Sequence, residues 1–263
     1  MAKHIKKFNM KDSCIPQEFL IFHPQHKYIQ GEIFLLPTAI GLYRPLDASY
    51  TKIASKLSDY GYIVRILEFP GQNKRPGAYS VVGSCLGLCQ FIHKLKNSVN
   101  LPIFLFGICA GALASLYSAI RVERIASVFC WELSLEYDYI PETYDRLINK
   151  FGLNIDWDNA LEPIQPFEII SKIKKPLILG IPQKSRCAKL KEQEHLKSLA
   201  SSAEIVVLPG TSRIPGIPND SESIFIKEII TSCSSHIENM KGGVECEKSS
   251  YHQQISTLRQ KEL

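Results

Sequence analysis

No apolar run in the 263 residues is long enough to cross a bilayer, and the strongest, at 33–36, 103–106 and 177–179, have the length of buried strands. Residues 1–12 are basic and polar with no apolar stretch behind them, so a secretory leader is not expected and the chain reads as cytoplasmic. Charge of one sign is also missing. The net charge is only +5, and Lys and Arg alternate with acids over most of the length, which argues against a nucleic-acid surface. The small cluster Lys3, His4, Lys6, Lys7 and Lys11 reads as a solvated terminus. Internal repeats are absent. Eight cysteines are present, but they are scattered through a mid-sized chain without a leader, as expected of reduced thiols buried as small apolar groups. Cys85, Cys89 and His93 stand four residues apart along one helix. A rise of about 1.5 Å per residue separates the outer two by roughly 12 Å, too far to share one metal ion, so all three are expected to face the core.

What is present is an alternation of strand and helix signals, the mark of an α/β fold with a mostly parallel sheet covered on both faces. Segments 19–22 and 31–36 read as an opening antiparallel pair. Ile53, Leu57 and Tyr60 at helical spacing predict a helix over 50–60 that stops at Gly61. Strands are expected at 62–67, 101–106, 126–131, 176–180 and 204–208, with helices at 81–95, 111–120 and 222–233. The alternation fails over 132–166, which reads as a cap whose Tyr137, Tyr139, Tyr144, Phe151 and Trp157 suit an apolar entrance or ordinary packing on the sheet. Residues 13–238 are read as one domain, and 239–263 as a loose polar tail.

The most informative segment is 101–119, where a buried strand runs directly into Gly107-Ile108-Cys109-Ala110-Gly111 and then into a helix of small residues. Such a turn is tight enough to strain its central residue, and only glycine two places before and after avoids the neighbouring strand and helix. It aims Cys109 at a helix N-terminus, where unpaired N–H groups favour a thiolate and the Ala110 amide can hold an oxyanion. A buried, inert cysteine in a close-packed turn is the alternative.

Gly107 to Gly111 resembles the nucleophile elbow of the α/β-hydrolase superfamily, and further likenesses follow in the family's order. The run Leu36-Pro37-Thr38-Ala39-Ile40-Gly41 is similar to the loop that supplies a second oxyanion amide, here from Thr38 or Ala39. Glu68-Phe69-Pro70-Gly71-Gln72 is similar to the family's Asp-x-x-Gly turn, with Glu68 expected to stabilise that turn. Ile173-Lys174-Lys175-Pro176-Leu177-Ile178-Leu179-Gly180 looks like the strand before the catalytic acid. The resemblance implies an α/β-hydrolase fold with a short cap insertion, and a small-molecule acyl or ester ligand. It implies no cofactor and no metal ion.

The departures are equally specific. After Gly180 the stretch 181–186 contains no carboxylate, and the place of the family's histidine after the final strand holds Ser212, a poor base that marks lost catalysis. No histidine lies between His195 and His236, which leaves His23, His26 and His236 as bases. Glu132 reads first as a solvated residue opening the cap; it also stands where some hydrolases draw their acid. The elbow further resembles that of class I glutamine amidotransferases, but His236-Ile237-Glu238 lies beyond the last strand rather than on a strand-end loop. Dienelactone-hydrolase-like enzymes share the cysteine elbow and keep His and Asp. Two functions therefore stand side by side: an ester or thioester hydrolase or acyltransferase using Cys109, and a degenerate hydrolase that binds or regulates.

Overall fold

Continuous apolar runs become strands buried on both faces. The computed structural model describes residues 15–25, 29–38, 44–72, 75–77, 79–95, 101–133, 166–183 and 188–208, together with Lys227, 229–231 and Cys233. Its strands are β1 (Gln17–Phe22), β2 (Gly31–Leu36), β3 (Tyr62–Glu68), β4 (Ile103–Ile108), β5 (Ile125–Trp131), β6 (Leu177–Pro182) and β7 (Ala203–Leu208). They form one sheet in the order β1-β3-β2-β4-β5-β6-β7, parallel throughout except for β1. Every residue of β2, β4, β5 and β6 is buried, which is why these strands carry unbroken apolar runs instead of alternation.

Helices cover both faces. Ile33 and Leu35 point into a core shared with Tyr50, Ile53 and Leu57 of α1 (Arg44–Asp59), and Ile229 and Cys233 join the same core. Phe34 and Leu36 point the other way, toward α2 (Val81–Lys94) and α3 (Ala110–Ala119). Two further helices, α4 (Pro166–Ile170) and α5 (Leu190–Leu199), extend that second face. Among the described residues no helix is long and apolar enough to cross a membrane.

Several sequence expectations need correction. β1 pairs with β3, not β2. The crossover through α1 lays β3 along one edge of β2 while β4 takes the other, so the free edge for β1 belongs to β3. Helix α1 begins at Arg44, ahead of the apolar spacing that signals it. β6 continues past Gly180 to Pro182. Helix α5 was not anticipated, because LKEQEHLKSL buries only Gln193 and Leu196 and so carries almost no periodic signal. His93 is exposed, with its ring nitrogen 2.7 Å from the Cys89 carbonyl, whereas Cys85 is buried. At 3.6 residues per turn, positions eight apart differ by about 80° around the axis, enough to swing the last of three from core to solvent. Residues 134–165 of the expected cap and the 239–263 tail lie outside the described residues.

Candidate functional site

The carboxyl end of β4 delivers Cys109 in a conformation that L-residues avoid, with φ 52° and ψ −111°. The turn is closed from three sides. The Cys109 N–H donates to the Trp131 carbonyl on β5 at 2.9 Å, and the Cys109 carbonyl accepts from Ala112 N–H at 3.0 Å, closing the first turn of α3. Both flanking glycines are needed for close approach. A side chain at Gly107 would run into the Gly111 backbone and come within 2.5 Å of the Ala112 Cα, and one at Gly111 would meet the Leu36 and Pro37 carbonyl oxygens at 2.5 Å. Backbone strain of this kind costs about 1–3 kcal/mol and persists only where the surroundings over-determine it. Cys109 is half-buried, and its sulfur does not cap the helix it precedes.

One strand over, the same thing happens again. Ile108 is in register with Trp131, so the residues that follow them, Cys109 and Glu132, leave the sheet side by side. Glu132 also has a positive φ, 50°, and these two are the non-glycine residues with positive φ among the described residues. Its N–H donates to the Gly180 carbonyl of β6 at 3.0 Å, repeating the support that Cys109 receives from β5. Only 3% of Glu132 is exposed. The expectation of a solvated residue is therefore wrong: the ladder continues through the strand end and folds the carboxylate residue inward. The Trp131 indole beside it is fully buried and lies over Gly180, where a Cβ would come 2.5 Å from its ring.

The loop after β2 meets the elbow at Gly111, which brings Thr38 to the site. Gln72 holds it there: its Nε2 donates to the Thr38 carbonyl at 2.9 Å, while its Oε1 accepts from Phe69 N–H at 2.9 Å. Gln72 is fully buried, as is most of Glu68 at the end of β3. Arg75 donates to the Glu68 carbonyl and to the Ile15 carbonyl, fastening the turn between them. Ala110, the first residue of α3, has an amide without an intrahelical partner. Tyr50 reaches the same place from α1, and neither it nor Gln72 was singled out from the sequence. Gln72 lay in plain view within the turn motif; Tyr50 looked like any apolar-face residue of its helix.

The structure separates other candidates from this centre. His23 follows β1 just past Phe22, which pairs with Val64 near the start of β3, so it sits by the amino ends of the parallel strands, whereas Cys109 sits at a carboxyl end. His93 ends α2, and His195 packs against Phe167 at a ring distance of 5.2 Å. Beyond Pro182, Gln183 is an exposed turn residue. Ala39, Ser212, His26 and His236 lie outside the described residues.

No protein-family model matches the chain, and no curated protein matches it by sequence. Solved structures do match. An α/β hydrolase, GrgF, from Penicillium sp. sh18 superposes with a TM-score of 0.68 over 85% of this chain and 98% of its own, at 13% identity. A soluble variant of the monoglyceride lipase of Saccharomyces cerevisiae gives 0.64 over 82% and 91%, at 15% identity. The thioesterase domain of the curacin biosynthetic pathway gives 0.57 over 81% and 94%, also at 15% identity. With the sheet order, the elbow and these likenesses in agreement, the chain is built on the α/β-hydrolase fold.

Proposed function

We propose that this protein is an acyl-transfer enzyme in which Cys109 attacks the carbonyl of an ester or thioester. The observation that carries this reading is the strained backbone of Cys109, φ 52° and ψ −111°, held by two close-packed glycines and a neighbouring strand. A buried structural thiol needs none of that apparatus, and strain clusters where function requires it. The Cys109 sulfur forms a bond to the carbonyl carbon as its proton passes to the Glu132 carboxylate. The amides of Ala110 and of Thr38 or Ala39 hold the oxygen that gains charge. Collapse returns the proton from Glu132 to the departing alcohol or thiol and leaves an acyl-Cys109, which water or another acceptor then releases. Glu132 is assigned the proton because, among the described residues, it is the buried carboxyl residue beside the elbow in a second strained position.

The test is intact-mass measurement after brief exposure to a panel of acyl thioesters and activated esters. An acyl mass that appears on the native protein, fades with time and is absent from Cys109→Ala supports the reading. Absence of any adduct on the native protein sinks it. The second reading, a degenerate hydrolase that keeps its pocket for binding or regulation, draws on one specific observation: the sequence after β6, at 183–186, holds no carboxylate. An adduct that forms on Cys109 and never clears would favour that alternative.

A further inference from the structure

Tyr50 is a polar group near the elbow whose presence the backbone arrangement does not explain. It lies on α1 with 1% of its surface exposed, in the core cluster against which Cys109 packs. Its hydroxyl is buried and, among the described residues, has no hydrogen-bond partner. Native proteins leave few buried polar atoms unsatisfied, and an idle donor so placed is a standing cost that phenylalanine would remove. The hydroxyl faces the Thr38 backbone without completing a well-formed hydrogen bond. It also lies close enough to Cys109 that negative charge on the sulfur opposes its ionisation.

We propose that Tyr50 is a further oxyanion donor of the Cys109 site, its phenolic O–H acting with the Thr38 and Ala110 amides on the carbonyl oxygen of an acyl substrate. The proposal rests on Cys109 being the nucleophile. The hydroxyl belongs to the core cluster against which Cys109 packs and is not hydrogen-bonded to the sulfur, so it is left to donate to a carbonyl oxygen on a carbon attached to that sulfur. An oxyanion donor belongs about 3 Å from that oxygen, not from the nucleophile itself. Gln72 adds rigidity by anchoring the Thr38 carbonyl, which orients the peptide beside the phenol. Burial, helped by the nearby Cys109, pushes the Tyr50 hydroxyl far above its usual range, so it remains protonated and able to donate throughout the range in which a thiolate works. No proton leaves Tyr50 in this step. The phenol stabilises the tetrahedral oxygen by hydrogen bonding, and the thiol proton follows the route to Glu132 given above.

Two reactions at the same sulfur separate an oxyanion donor from a residue that merely tunes the thiol. Acylation by p-nitrophenyl acetate passes through a tetrahedral oxyanion, whereas alkylation by iodoacetamide is a displacement at saturated carbon that creates none. We would measure both rates by mass spectrometry of the Cys109 peptide in the native protein, Tyr50→Phe and Cys109→Ala, with thermal melting as the check on folding. Tyr50→Phe is expected to slow acylation about 100-fold, leave alkylation within about twofold, and melt no lower than the native protein. Unchanged acylation, an equal loss in both reactions, or a lowered melting temperature overturns the role of Tyr50 while leaving Cys109 as nucleophile. If the native protein is not acylated at Cys109 at all, the underlying assignment falls and this proposal falls with it.

Discussion

Cys130 on β5 and Cys109 just past the end of neighbouring β4 stand close together, and the chain treats them in opposite ways. Cys130 pairs in register with Gly107, has an ordinary strand backbone, is 1% exposed, and places its sulfur 3.7 Å from the Ala112 carbonyl. Burial pushes its thiol up, as it does for Cys85 and Cys233 in the same sheet-and-helix interior. Cys109 lies just beyond the strand end, half-exposed, in a backbone conformation that two glycines make possible. An interior cysteine fills volume and contributes apolar contact; the one at the elbow sits where the backbone is strained and the packing is incomplete. The side chain is the same. What differs is whether the fold spends conformational energy to present it.

The largest test of this contrast is pH. In the folded protein Cys85, Cys130 and Cys233 stay protonated, while in the unfolded chain thiols ionise near 8.5, so above that value the folded state holds more protons than the unfolded one. Their contribution is fully present below about pH 8.5 and is lost as pH rises. Stability measured by urea unfolding under reducing conditions should fall by about 2 kcal/mol per thiol between pH 8 and pH 10, and Cys130→Ala should remove one thiol's share of that slope. A flat profile would mean that these thiols are not buried as described.

The elbow responds to bulk instead. Gly107→Ala forces a methyl group into the Gly111 backbone and should cost about 3 kcal/mol or more in thermal or denaturant unfolding. At Gly180 the obstruction is the Trp131 ring, which can tilt, so Gly180→Ala should cost less; equal losses would undo the distinction. Next in size is Gln72→Ala, which leaves the Phe69 N–H without its buried acceptor and the Thr38 carbonyl without its donor, at about 2 kcal/mol. It should also slow acylation of Cys109 by p-nitrophenyl acetate, because Thr38 is no longer anchored; a stability loss with an unchanged rate would detach that loop from the site. Smallest, and opposite in sign, is Cys109→Gly. Glycine accepts φ 52° without a Cβ clash, so this variant should be more stable than the native protein by about 1 kcal/mol while losing every acyl adduct. A less stable glycine variant would argue that the elbow is relaxed.

The strands and the elbow were legible because their signals are local. Unbroken apolar runs such as 103–108 have few other uses at that length, and glycine two places either side of Cys109 answers a steric demand that the turn imposes on itself. The pairing of β1 was not local: it depends on which strand edge remains after the α1 crossover is made. Glu132 was misjudged for a related reason. In sequence it opens a polar stretch, whereas in the fold its N–H donates to Gly180, a residue 48 positions later, and its backbone takes the positive-φ position that accompanies its burial.

The sequence by itself determined the α/β alternation, the close-packed turn at Cys109, and the lack of a carboxylate over 181–186, since each is a matter of which residues stand next to one another. Only the tertiary structure decided that Glu132 emerges beside Cys109, that Gln72 grips the Thr38 carbonyl, and that Tyr50 is buried in the core cluster against which Cys109 packs. Those juxtapositions depend on strand order and helix packing between distant segments, which no local pattern encodes.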